Sequence, residues 1–131
     1  GLTELNLGII PGAGGTVLLP RLVGEAKAKE LIYLSRVIDG VEAERIGLAN
    51  LAVERDELLP TARKLADKLC TRSSLSLAAA KAAIEYGVGH PEVQDACAHE
   101  GALWAELFNH HDQKEGMAAF IEKRRPVFTG E

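Results

Sequence analysis

At 131 residues the chain can hold one modest domain with its own core. Its 47% apolar and 26% charged residues are a globular balance, and a net charge of −4 gives no footprint for nucleic acid. No apolar run approaches the ~18 residues of a membrane span.

Residues 2–10 read as a short extended piece, with Leu2, Leu5, Leu7, Ile9 and Ile10 partly alternating. Pro11 stops it, because proline cannot donate to a ladder. Pro11 to Thr16 is a glycine-rich turn that opens a helix carrying Val17, Leu18, Leu19, Leu22 and Val23. Pro20 is expected at a break or a first turn of that helix. A second helix is predicted over 25–35 and a short one over 41–46, with Gly47 just past its end. Residues 48–53 are the best strand candidate. A helix over about 56–70 carries the stripe Leu58, Leu59, Ala62, Leu65, Ala66 and Leu69. Ser73 and Ser74 are plausible caps for a helix over 75–86, and Gly87 and Gly89 mark a turn. Pro91 suits the first turn of a long helix over 91–108. Asp112 can cap a last helix over 113–124, and Pro126 and Gly130 lie in a loose tail. This is mostly helix with two short extended pieces, fewer strands than a complete α/β fold needs.

Cys70 and Cys97 form no CxxC or His/Cys pattern, so two buried, reduced thiols are expected. A start at Gly1, with no Met or leader pattern, suggests a fragment or a processed edge and says little about targeting. His110 and His111 are adjacent and diverge, and His90 and His99 are isolated, so no metal is expected. Two features carry chemistry. The turn at 12–15 can aim backbone N–H groups at an anion or a polar substrate atom, although it is neither GxGxxG nor a P-loop; alone, it reads rather as a tight strand-to-helix turn. Glu4 is a carboxylate in an apolar stretch, which suits proton transfer; alone, it reads rather as an exposed edge residue.

In context these pieces join. Gly1 to Thr16 resembles the segment G-x-x-E-x-x-L-G-I-x-P-G-x-G-G-T of the enoyl-CoA hydratase/isomerase (crotonase) superfamily. Leu19-Pro20-Arg21-Leu22-Val23-Gly24, then Ala28, Glu30, Ala43 and Gly47-Leu48-Ala49, follow the same family's pattern. Asp112 to Gly116, Ala119-Phe120, Glu122-Lys123-Arg124, Pro126, Phe128 and Gly130 are similar to its closing block.

The resemblance implies an α/β crotonase-like spiral, of which this chain would be a mostly helical fragment with short strands. Residues 1–54 would be the last part of the spiral core, and 55–131 a helical trimerisation region. It implies a hydro-lyase that adds water across the 2,3 double bond of an acyl-CoA thioester, as in fatty-acid β-oxidation. Glu4 would move the proton at the α-carbon, and the Gly12 N–H would help hold the catalytic water. Phe120 and Lys123 would reach the adenine and phosphates of a neighbouring subunit's CoA. Coenzyme A is part of the substrate, and no separate cofactor is implied. The oxyanion-hole donors and a second carboxylate would come from an N-terminal half of the same fold, in a homotrimer or hexamer. The setting would be bacterial cytoplasm or the mitochondrial matrix. Val17-Leu18 departs from the family's frequent Gln-Arg, and Thr3 stands where many hydratases carry proline; the latter leaves branched-chain substrates of the methylglutaconyl-CoA type open. An isomerase, a decarboxylase and a non-catalytic oligomerising fragment are the alternatives.

Overall fold

The computed structural model describes residues 1–131, which divide into two compact units, Gly1–Leu59 and Pro60–Glu131. The first unit opens with a 3-10 turn at Glu4–Leu7, followed by α1 (Gly15–Val23), α2 (Glu25–Tyr33) and α3 (Gly40–Arg45). A second 3-10 turn, Arg55–Glu57, leads into α4 (Leu58–Leu69). The second unit continues with α5 (Ser74–Gly89), α6 (Val93–Leu107) and α7 (His111–Ile121).

No strand forms anywhere in the chain, which corrects the expectation of short strands. Two physical causes are visible. A strand is stable only against a partner's N–H and C=O groups, and this chain supplies no second edge. Local bonds also claim the backbone. Asn6 N–H donates to the Thr3 carbonyl and Gly8 N–H to the Leu5 carbonyl, both at 3.1 Å, so residues 3–8 coil instead of extending. In the segment 48–53, Ala52 N–H donates to Glu44 Oε2 at 2.8 Å, a side chain taking the place of a ladder.

α1 and α2 pack on each other through Leu19, Ala28, Leu31 and Ile32, with Leu2, Leu5, Val23, Ile38 and Ile46 around them. Pro20 lies inside α1, where a break was expected. It leaves the Thr16 carbonyl without its helical donor but keeps its own acceptor, which receives Gly24 N–H at 3.0 Å. Lys27, Lys29 and Arg36 pair with Glu30, Glu25 and Glu30 along the outer face of α2. Asp39 caps α3 by accepting Glu42 N–H at 2.8 Å. Gly47, at φ 77, closes α3 in the left-handed turn expected from the sequence.

In the second unit Ser73 caps α5 through Ser76 N–H at 3.4 Å. The helix runs on through Gly87 to Gly89, so the expected glycine turn is shifted to His90–Glu92. Pro91 lies just before the Glu92 cap of α6 and outside the helix. α5 and α6 pack as an antiparallel hairpin pinned by Tyr86, whose ring centroid is 4.1 Å from that of His99 and 4.8 Å from that of His90. Cys70 and Cys97 are exposed within this chain, contrary to the expected burial. The α4 stripe is exposed too, with Leu65 48% accessible. No helix is long and apolar enough to cross a membrane.

Candidate active site

Glu4 opens the first 3-10 turn between Leu2 and Leu5, both of which pack against the core. Those anchors draw the carboxylate inward. Its Oε2 is enclosed by protein and has no hydrogen-bond partner in the chain. A buried, unpaired carboxylate oxygen is costly, and native proteins retain such an atom chiefly where another group or a reaction uses it. Thus Glu4 is not the exposed edge residue that its isolated pattern suggested.

Pro11 is buried beside the glycine turn. Ala13 at φ 50 and Gly14 at φ 86 carry the turn into α1, where Gly14 accepts Leu18 N–H at 2.8 Å. The Gly12 carbonyl accepts Gly15 N–H at 2.9 Å, and Gly12 itself is exposed. A side chain at Gly12 would meet nothing within 4 Å. The glycine that the packing requires is Gly15, whose added Cβ would lie 2.9 Å from Pro11 Cβ and 3.3 Å from Leu2 Cδ1. Sequence reasoning did not single it out; its place between a buried proline and a helix start was the available signal. An apolar cavity of about 330 Å³ opens beside this turn, lined among others by Leu2, Gly15, Leu18, Leu22 and Ile38. Glu4 does not line it, so the cavity and the carboxylate are separate features.

Phe120 and Lys123 lie in the other unit. Phe120 is 82% exposed near the end of α7. Lys123 follows two residues beyond that helix, at φ 55, with its N–H donating to the Phe120 carbonyl at 3.3 Å. The structure thus keeps them together on one turn, and Lys123 makes no ion pair. No cluster of three or more His, Cys, Asp or Glu side chains is arranged to hold a metal.

The residues that organise this end of the chain were noted in the sequence only as a motif and a cap, and their roles here differ. Asp112 does not cap α7; His110 occupies the cap position. Asp112 instead is buried, 2% accessible, and accepts Thr129 N–H at 2.8 Å and Gly130 N–H at 3.1 Å. The nearby Ser73 hydroxyl and these two amides hold its carboxyl below the usual range. Glu115 accepts from the two terminal Arg124 guanidinium nitrogens, at 2.6 and 2.8 Å, and from Val127 N–H at 2.8 Å. The guanidinium first, then the amide, lower the Glu115 carboxyl to about 2. The spacing D-x-x-E with an arginine nine residues later was the readable sign of this latch.

Known proteins match this chain along its whole length. The family model described as Enoyl-CoA hydratase/isomerase matches residues 1–131. A crotonyl-CoA hydratase of Syntrophomonas wolfei is 44% identical over 128 residues, which are 98% of this chain and 49% of that protein. A probable mitochondrial enoyl-CoA hydratase of Arabidopsis thaliana is 42% identical, over 99% of this chain and 43% of its own length. The crystal structure of an enoyl-CoA hydratase from Bacillus anthracis superposes with a TM-score of 0.92 at 40% identity, covering 100% of this chain and 50% of that one. The chain spans about half the length of the curated relatives it matches. With the match running from the first residue to the last, the chain belongs to the enoyl-CoA hydratase/isomerase family.

Proposed function

We propose that these residues are part of an enoyl-CoA hydratase and that Glu4 transfers the proton at the substrate's α-carbon. The observation that carries this reading is the enclosed, unpartnered Oε2 of Glu4. A general acid/base works best when no internal donor already holds its carboxylate, and Oε2 of Glu4 accepts from none. The hydratase names of the relatives at 44% and 42% identity support the choice of reaction.

In the reaction, water adds its oxygen to C3 of the enoyl thioester and a proton is added at C2. Two carboxylates around one water suit it, because one can activate the water while the other supplies the proton. Glu4 is one of the two. The other carboxylate and the donors that stabilise the thioester enolate belong to the half of the fold not represented in this chain. Gly12, exposed at the head of the loop, supplies its N–H as a donor to the water. Phe120 offers an exposed ring to the adenine of CoA, and Lys123 a cation to its phosphates. CoA enters as part of the substrate, and no other cofactor enters the scheme. The assembly is a trimer or a dimer of trimers, and the setting is one where acyl-CoA is metabolised, bacterial cytoplasm or the mitochondrial matrix.

The test is Glu4→Gln in a complete enzyme containing these residues, assayed with crotonyl-CoA. Turnover should fall by roughly two to four orders of magnitude, the usual contribution of a general acid/base. The amide is isosteric, so the melting temperature should hold. Near wild-type turnover would remove Glu4 from the mechanism. Faster conversion of a 3-enoyl-CoA than hydration of crotonyl-CoA by the unmodified enzyme would replace the hydratase with an isomerase.

A further inference from the structure

α7 ends in a backbone conformation that a lysine adopts only at a cost. Lys123 sits at φ 55, in the left-handed region where a helix end usually places glycine. Arg124 N–H donates back to the Ala119 carbonyl at 3.0 Å, which closes the turn. α3 ends through the same kind of bond, Leu48 N–H to the Ala43 carbonyl at 2.8 Å, but there the left-handed residue is Gly47. At α7 a side chain does what glycine would otherwise permit. Arg124 donates through both terminal nitrogens to Glu115, at 2.6 and 2.8 Å, and through Nε to Glu122 at 2.6 Å. Glu115 also accepts Val127 N–H, so the chain is tied to α7 on the far side of the turn as well. The device recurs at the end of α2. Ser35, at φ 49, is likewise followed by an arginine, Arg36, that reaches back to a helix glutamate, Glu30. Only the α7 version places a long cation in the strained position, one turn from an exposed phenylalanine. Non-glycine residues held in this region cluster at functional sites.

We propose that Glu115 and Arg124 are positioning residues that hold Lys123 in its left-handed turn, so that its ammonium and the Phe120 ring face the nucleotide end of an acyl-CoA. This deepens the reading given above and rests on it. A helix continued past Ile121 would swing Lys123 to a different side of α7 from the one it now occupies. The bidentate fork fixes both distance and plane, which a single point contact would not.

The experiment compares crotonyl-CoA with crotonyl-pantetheine, which lacks the nucleotide, in a complete enzyme containing these residues. Arg124→Ala and Glu115→Gln should raise KM for crotonyl-CoA by roughly three- to tenfold, up to the weight of one charged hydrogen bond. They should leave kcat, and both constants for the pantetheine substrate, unchanged. Arg124→Lys keeps the charge but loses the fork; it should shift KM in the same direction by less, and it serves if the alanine variant folds poorly. Lys123→Gly relieves the strain, so the melting temperature should hold or rise while KM for crotonyl-CoA rises as it does for Lys123→Ala. Equal losses on both substrates would reduce the fork to a structural prop and overturn the proposal; so would no change on either. If Phe120→Ala and Lys123→Ala discriminate between the substrates and the fork variants do not, positioning alone fails. If Phe120→Ala and Lys123→Ala do not discriminate either, the CoA-end reading fails with it.

Discussion

Between Gly1 and Leu59, four hydrophobic side chains, Leu19, Ala28, Leu31 and Ile32, are buried together with no charged group among them. Between Pro60 and Glu131 the buried residues are Ala119, Ser73 and Asp112. The first unit is organised by apolar volume. The second is organised around hydrogen bonds that two carboxylates accept from a returning tail, while the apolar stripes of its helices remain exposed. Apolar burial is non-directional and indifferent to pH. A carboxylate latch is directional, and it depends on ionisation. The two units should therefore respond differently to loss of volume, to loss of acceptors and to acid.

Volume gives the largest expected effect. Leu31, 4% accessible, sits in the core, so Leu31→Ala should cost about 2–5 kcal/mol as transfer energy plus cavity. Leu65, of the same chemistry but 48% accessible, should cost only about 0.5 kcal/mol on the same change. Denaturant unfolding, followed by amide exchange resolved to each unit, measures both. Equal costs would break the contrast. Next comes overpacking. Gly15→Ala places a methyl 2.9 Å from Pro11 Cβ and should cost about 1–3 kcal/mol. Gly12→Ala meets nothing and should stay within about 0.5 kcal/mol. In a complete enzyme, Gly12→Ala should also keep most of its turnover, because the backbone N–H survives the substitution. A large loss of stability there would mean that Gly12, and not Gly15, is the packing glycine.

Removing an acceptor should have a smaller, local effect. Asp112 offers one oxygen to Thr129 N–H and the other to Gly130 N–H. Asp112→Asn keeps the shape but turns one acceptor into a donor facing an amide. The expected outcome is faster amide exchange at Thr129 or Gly130, with α2 in the first unit unchanged. Unchanged exchange at both would show that the tail is held by something other than these bonds.

These contrasts also explain what could be read from the residues beforehand. The helices at 58–69, 74–89, 93–107 and 111–121 were legible because periodicity, and for 74–89 the cap Ser73, act locally. The strand expected at 48–53 was not, because pairing depends on a partner that the sequence of one chain does not reveal. Leu2 and Leu5 looked like alternation, yet they serve as two anchors of a coiled turn in which one oxygen of Glu4 is enclosed. Glu4 itself was visible through motif resemblance. Its enclosed oxygen required coordinates. Asp112 was misread as a cap because capping is the commonest use of an aspartate before a helix, and a bond to residue 129 leaves no local trace. The exposure of Cys70 and Cys97 has the same origin as that of Leu65: composition predicts burial without saying what does the burying.

Acid should separate the two units with the smallest perturbation. The Glu115 carboxyl, ordinarily near 4.5, is held at about 2 by the Arg124 guanidinium and then by Val127 N–H. Asp112 is lowered as well, first by the Ser73 hydroxyl and then by the amides of Thr129 and Gly130. A group lowered on folding binds fewer protons in the native state, so its contribution is complete above its ordinary value and is lost as pH falls through the folded one. For Glu115 that window runs from about 4.5 down to about 2. The charge of His111 is a further, smaller cause lowering both carboxyls. In the first unit Glu25, Glu30 and Glu42 are lowered too, by Lys29, Lys27 and Arg45 respectively. Those pairs lie on the outer faces of helices, where ion pairs add little, and the core beneath them contains no titrating group. Protection at Val127 should therefore fall across pH 4.5 to 2, and that at Thr129 and Gly130 should be lost in acid as the lowered Asp112 carboxyl protonates, while the α2 amides at Leu31 and Ile32 hold. Loss of protection in both units at one pH would mean that the latch and the core unfold as a single unit and that the contrast between them has no energetic meaning.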